Sequence, residues 1–167
     1  MKETAGDLWD YEQSHWLCVT TNQGWSKSGS NIMGAGLAKQ AANRFPNLPA
    51  RYGAFCRMFP GAAKLYPYKR YTSWLLMYPT KALNPQTPYM SWRGKSSLEL
   101  IERCAIELAK FGETSERPIA IPALGCQNGG LKVCDVLDIL YKYLKSDDKF
   151  LFVHPQPLLF GQSPLPY

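Results

Sequence analysis

Apolar residues in this chain gather into short unbroken runs, and stretches of helical spacing lie between them. His15-Trp16-Leu17-Cys18-Val19-Thr20-Thr21 predicts a buried strand, as do Ser73 to Tyr78, Arg117 to Pro122, and Phe150 to Val153. Leu37, Ala38, Ala41, Ala42 and Phe45 recur at helical spacing, which predicts a helix from Asn31 or Gly34 to about Arg44, stopped by Pro46 and Pro49. Leu98, Ile101, Ala105 and Leu108 mark the apolar face of a second helix, capped by Ser96 or Ser97. Val133, Val136, Leu137, Leu140 and Leu144 predict a third helix from about 132 to 145. The stretch from Thr80 to Gly94 carries two prolines and little periodicity, so it reads as a long surface loop. Alternating strands and helices with continuous apolar strands indicate an α/β fold whose mainly parallel sheet is covered on both faces. Such folds bind ligands beyond the carboxyl ends of their strands.

Two glycine-rich segments fall at that edge: Met33-Gly34-Ala35-Gly36-Leu37-Ala38 and Gly125-Cys126-Gln127-Asn128-Gly129-Gly130-Leu131. Glycine lets the backbone lie close to a ligand. Amides at a helix start lack intrahelical partners and suit phosphate. Two such loops in one small domain suggest a clamp for two linked phosphates, hence a nucleotide diphosphate ligand.

At 167 residues the chain is expected to form one domain, 1–167, with a full core. A net charge of +6 suits an anionic partner, either a phosphate ligand or nucleic acid. The five cysteines, Cys18, Cys56, Cys104, Cys126 and Cys134, show neither zinc spacing nor a disulfide framework. Cys18 and Cys104 sit in apolar patterns and read as core. Cys126 reads as a small side chain fitting under its loop rather than a nucleophile. The two histidines, His15 and His154, make no metal site, so no metal is expected. No apolar run is long enough to span a membrane, and residues 1–7 lack the apolar core of a signal peptide, so a cytoplasmic, membrane-free location is the default expectation. The tail 155–167 has four prolines and no clear periodicity.

A Walker loop is absent, and Gly34-Ala35-Gly36 supplies only the first half of a dinucleotide fingerprint. The ordered set Gly6-Asp7-Leu8, Thr20-Thr21-Asn22, Met33 to Ala38, Tyr78-Pro79-Thr80-Lys81 and Ile121 to Leu131 instead resembles the macrodomain family over about residues 5–155. Within that family it is most similar to the branch of the DarG-type antitoxins and the terminal ADP-ribose protein glycohydrolase. The resemblance implies a three-layer α/β/α sandwich with a central mixed, mainly parallel sheet, binding ADP-ribose without a cofactor. It implies that Asp7 accepts a hydrogen bond from the adenine amine, with the Leu8 backbone beside it. Gly34, Ala35, Gly36 and Leu37 would wrap the pyrophosphate from one side. Gly125 to Leu131, with Gly125, Cys126, Asn128, Gly129, Gly130 and Leu131 at the ligand, would wrap it from the other, and Met33, Pro122 and Leu124 would also line the ligand. Thr80 would lie at the ligand beside Lys81, which matches the catalytic lysine of the branch, as nucleophile or as electrostatic stabiliser. Asn22 matches the residue that orients the distal ribose, although an Asx-turn is an equal reading. Phe152 or the residues just after it are candidates to stack on adenine, and His154 either approaches the adenine or packs.

The human-type glycohydrolase carries an aspartate where this chain has Gly129, whereas the DarG-type loop reads Asn-Gly-Gly, as Asn128-Gly129-Gly130 does. Trp25-Ser26-Lys27-Ser28-Gly29-Ser30 is extra relative to the DarG type and falls near the distal ribose. The resemblance therefore favours a monomeric hydrolase that removes ADP-ribose from a modified macromolecule, DNA first, and leaves room for single-stranded DNA contact and a partner toxin. A phosphatase acting on ADP-ribose 1''-phosphate and a non-catalytic reader of ADP-ribose stay open, and the glycine loops argue against a plain nucleic-acid-binding domain.

Overall fold

The computed structural model describes residues 1–145 and 147–155, so the proline-rich tail beyond Pro155 lies outside the described residues. Among the described residues the strands are β1 (Lys2–Ala5), β2 (Trp16–Asn22), β3 (Tyr66–Arg70), β4 (Ser73–Lys81), β5 (Ile119–Pro122) and β6 (Phe150–His154). The helices are α1 (Gly36–Arg44), α2 (Leu48–Met58), α3 (Leu98–Thr114) and α4 (Val133–Leu144), with short 3-10 turns at Leu8–Tyr11 and Pro88–Arg93.

One sheet runs β1-β6-β5-β2-β4-β3. Every pairing is parallel except the β3–β4 hairpin. Successive strand side chains point to opposite faces, and this period divides the core in two. Cys18, Leu76, Tyr78, Ile121 and Phe152 meet Ile101, Leu108, Val136 and Leu140 of α3 and α4. Leu17, Val19, Leu75, Met77 and Val153 meet Ala41, Leu48 and Tyr52 of α1 and α2. The result is the three-layer sandwich with a mixed, mainly parallel sheet. The carboxyl ends of β1, β6, β5, β2 and β4 therefore open on one edge.

The strong apolar runs all become strands. Three elements escaped the sequence pattern. The edge strands β1 and β3 are largely polar and exposed, because one long side of each has no neighbour to cover it. Pro49, read as a helix stop, lies in the first turn of α2, where its missing N–H has no intrahelical acceptor to lose. Ser97, rather than Ser96, caps α3, its hydroxyl accepting from the Leu100 amide at 3.2 Å. The stretch read as a surface loop after Lys81 is largely exposed and carries the short turn Pro88–Arg93, pinned by Ser91, which is buried and accepts from the Asn84 amide at 2.9 Å.

Tyr78 ties the sheet to α3. Its fully buried hydroxyl donates to the Ile101 carbonyl at 2.6 Å, and burial pushes its pKa well above the ordinary phenol value. Tyr78→Phe is expected to cost about 0.5–1.5 kcal/mol, since the carbonyl keeps its helical partner. A urea unfolding curve checks this through its midpoint.

Candidate functional site

At the carboxyl edge, β2 and β4 slip by one residue between Thr21 and Asn22, and this sets Asn22 directly opposite Lys81. Asn22 is buried, and its side chain works on its own loop. Its amide donates to the Ile32 carbonyl at 2.9 Å, while its Oδ1 accepts from the Gly24 amide at 2.9 Å and from Asn31 Nδ2 at 3.2 Å. The Asx-turn reading thus holds, and one N–H of the Asn22 amide has no partner among the described residues. Asn31 Nδ2 also reaches the carbonyls of Asn22 (2.9 Å) and Gly24 (2.8 Å). Its Oδ1 is buried without a partner among the described residues. This clasp fixes the path of the chain from β2 to the first glycine loop. Asn31 was read from the sequence only as a possible helix start, because a lone asparagine in a polar loop carries no other pattern, and the helix begins at Gly36 instead.

Lys81 is half-buried. Its ammonium donates to the Trp92 carbonyl at 2.8 Å, and burial lowers its pKa below the ordinary lysine value. Among the described residues no carboxylate lies within ion-pair distance of it. Thr80, expected at the ligand, faces inward instead. It is 3% exposed, and its hydroxyl donates to the Thr21 carbonyl at 3.4 Å and accepts from Ser96 at 3.3 Å.

Both glycine loops run along the same edge. Met33 is buried among the residues under α1 and α2, while Gly34, Ala35 and Gly36 are exposed and Leu37 half-exposed. Gly36 takes φ +55 at the start of α1, and a Cβ there would come within 3.5 Å of Asn128 Nδ2. The two loops therefore face each other. The amides of Gly36, Leu37 and Ala38 have no intrahelical acceptor, and no acid sits in that first turn. In the second loop, Cys126, Gly130 and Leu131 donate to the carbonyls of Ala123, Gln127 and Gly125. The Gln127, Asn128 and Gly129 amides make no hydrogen bond among the described residues.

The second loop rests on Ser96. Its amide donates to the Gly129 carbonyl at 3.1 Å, and a Cβ on Gly129 would stand 2.0 Å from the Ser96 hydroxyl. Ser96, read from the sequence only as a possible cap, thus seats the loop. Pro122, Leu124 and Cys126 are buried beneath it, leaving Asn128 and Gly130 exposed and Gly125 and Leu131 half-exposed. The Cys126 thiol donates to the Leu124 carbonyl, and burial pushes its pKa up to about 11, so it stays protonated and unreactive.

Asp7 is exposed at the end of β1 and caps the turn Leu8–Tyr11, accepting from the Trp9 amide at 3.0 Å, while Leu8 is core. Trp9 donates from Nε1 to Gln40 Oε1 at 2.6 Å and stacks under Arg44, which holds this turn against α1. Phe152 is fully buried under α3 and α4, so it is not available to stack on a ligand. His154 packs edge-on against Phe152 and pairs with Glu3 at 2.7 Å. Among the described residues no cluster of His, Cys, Asp and Glu is arranged for a metal ion, and no helix is long and apolar enough to cross a membrane.

No protein-family model matches the chain, and no curated protein matches it. Solved structures do. The macrodomain of Thermus aquaticus DarG superimposes with a TM-score of 0.72 at 23% identity, over 93% of this chain and 97% of that one. The macrodomain of Mycobacterium tuberculosis DarG gives 0.74 at 24% identity, over 93% and 97%. This chain has the macrodomain fold. Thermosipho africanus DarTG, solved in complex with ADP-ribose, carries a similar unit, with a TM-score of 0.73 at 24% identity over 95% of this chain and 42% of that one.

The loop packing separates two kinds of glycine. Gly129→Ala is expected to cost about 1–3 kcal/mol through overpacking against Ser96. Gly34→Ala, with nothing within 4 Å of a new Cβ, should stay within about 0.5 kcal/mol of the parent. Thermal melts of the two variants test the difference.

Proposed function

We propose that this edge binds ADP-ribose and releases it from a modified macromolecule, with DNA as the favoured substrate. The reading is carried by one arrangement: Asn22 opposite Lys81 at the end of the strands, beside two glycine loops that face each other across unpaired amides. The pyrophosphate lies between the loops, where backbone N–H groups and the start of α1 favour an anion. Asp7 takes the adenine end, and Asn22 and Lys81 take the distal ribose. The known fold of structures that include one holding ADP-ribose supports this ligand.

Hydrolysis breaks the bond between the ribose anomeric carbon and its acceptor. Water supplies the hydroxyl to the sugar, and the acceptor leaves with a proton. Lys81 has two roles open to it. As a neutral amine it displaces the acceptor at the anomeric carbon, and water then cleaves the sugar–lysine bond and restores the amine, a role that its lowered pKa favours. As an ammonium it stabilises the departing group. The remaining N–H of Asn22 would hold a ribose oxygen. A second reading, a reader that binds without turnover, is favoured by the bond from Lys81 to the Trp92 carbonyl and by the absence of an acid at Gly129.

Incubation with ADP-ribosylated single-stranded DNA and with ADP-ribosylated protein, following released ADP-ribose, tests the proposal. Lys81→Ala is expected to abolish release and leave ADP-ribose binding by calorimetry largely intact. A fully active variant overturns the mechanism, and binding without release in the parent leaves the reader. Phosphate released from ADP-ribose 1''-phosphate would instead indicate a phosphatase.

The pH profile assigns the role of Lys81. Burial disfavours its charged form, so the neutral amine appears at lower pH than in a solvent-exposed lysine. Turnover through the amine rises with pH and levels off below the titration of a free lysine. A fall over the same range identifies the ammonium.

A further inference from the structure

The inserted segment after β2 builds a feature of its own. Its backbone closes on itself, with the Ser26 amide donating to the Ser30 carbonyl at 2.8 Å and the Gly29 amide to the Ser26 carbonyl at 2.9 Å. It rests directly on α2, because Gly53 has no side chain: a Cβ there would stand 2.2 Å from the Gly29 carbonyl oxygen. Between this loop and the turn Pro88–Arg93 lies an open pocket of about 240 Å³ lined by Trp25, Lys27, Gly29, Arg57, Pro88 and Tyr89. That is smaller than the roughly 300–1,000 Å³ that encloses a whole small ligand, so it is a groove for part of a longer one.

The groove is cationic and aromatic. Arg57 and Lys27 make no ion pair or side-chain hydrogen bond among the described residues, and no acid lines the pocket. The Arg57 guanidinium lies under Gly29, 2.9 Å from where a Cβ would be. A planar guanidinium matches a phosphodiester. Tyr89 is 43% exposed and Trp92, in the same turn, 42%. Exposed rings beside free cations suit stacked bases on a charged backbone. An acidic peptide would match the cations but leave the rings unused.

The groove also starts where the reaction is placed. Gly24, which caps the Asn22 side chain, touches the Pro88 carbonyl so closely that a Cβ would stand 2.1 Å from it. The same turn supplies the Trp92 carbonyl that holds Lys81. A chain attached at the distal ribose would leave the site along this wall.

We infer that the groove between Trp25–Gly29 and Pro88–Tyr89, with Arg57 in its wall, holds the single-stranded nucleic acid that carries the ADP-ribose. The inference rests on the proposed hydrolase reading for its place in a reaction, yet its binding is measurable without ADP-ribose.

The test is fluorescence anisotropy of an unmodified, labelled single strand of about 12 nucleotides, a length within the site sizes of such surfaces, titrated with the full chain at several salt concentrations. Lys27→Ala/Arg57→Ala is expected to weaken binding about tenfold and to lower the salt slope by about 1–2. Tyr89→Ala is expected to weaken it about tenfold without changing the slope. All three residues are exposed, and melting curves verify folding. Calorimetry with free ADP-ribose should give the parent affinity in both variants. Absent strand binding by the parent, or equal binding by the folded variants, overturns the inference. So does faster release from ADP-ribosylated protein than from DNA that is lost in these variants. Failure of the parent to bind ADP-ribose, with strand binding still sensitive to Arg57 and Tyr89, sinks the hydrolase reading alone.

Discussion

Strand β2 is paired on both edges, with β4 and β5, and its residues are buried on both faces of the sheet. Its carboxyl end cannot shift without disturbing both core layers. The one-residue slip at Thr21–Asn22 occurs at the carboxyl end of the strand, where its buried residues change from apolar to polar, and it turns a regular ladder into a side-by-side pair, Asn22 and Lys81. Gln23 continues the attachment. Its amide donates to the Lys81 carbonyl at 3.0 Å, and its side chain bridges the Ala62 carbonyl and the Leu83 amide. The geometry of the site is therefore a property of the central strand, carried outward by polar groups that are themselves buried.

The two glycine loops are held by different physics. The first hangs between the Asn22–Asn31 clasp and the start of α1, and its upper surface is exposed backbone. The second is wedged, its Gly129 lying on the Ser96 hydroxyl and its apolar residues sunk into the core. A ligand between them would meet one loop anchored by hydrogen bonds and one anchored by packing. Ser96 joins the second loop to Thr80 and so to the strand that carries Lys81. Thr80, which the resemblance set at the ligand, instead holds the strand ends and the second loop together from behind.

What was legible follows from periodicity. The interior strands and the faces of α3 and α4 repeat apolar residues at fixed intervals, and burial on both sides leaves no room for another pattern. Edge strands β1 and β3 were silent because their exposed sides accept any polar residue, and α2 was hidden by a proline whose position in the first turn cannot be told from a stop without the chain's direction in space. At the site, Lys81 and Asn22 stood out only through the family resemblance carried by the motifs Tyr78-Pro79-Thr80-Lys81 and Thr20-Thr21-Asn22. Asn31, Ser96 and Trp92 act through contacts distant in sequence, by a side-chain amide, a hydroxyl and a backbone carbonyl, and none of these leaves a mark in the order of residues. Phe152 was misjudged because a strand end has two faces, and its ring lies on the one turned into the helices.

The seat of the inserted loop on Gly53 divides that segment into parts with different freedom. Its base, through Gly29 and Asn31, is locked to α2 and to Asn22, so residue 53 and the loop's return path have to change together or not at all. Its tip, Lys27 and Ser28, is exposed and has no such obligation. The surface that the tip presents can therefore change one residue at a time while Asn22 and Lys81 keep their alignment. Surface chemistry and strand-end geometry, adjacent in space, are thereby left open to independent change.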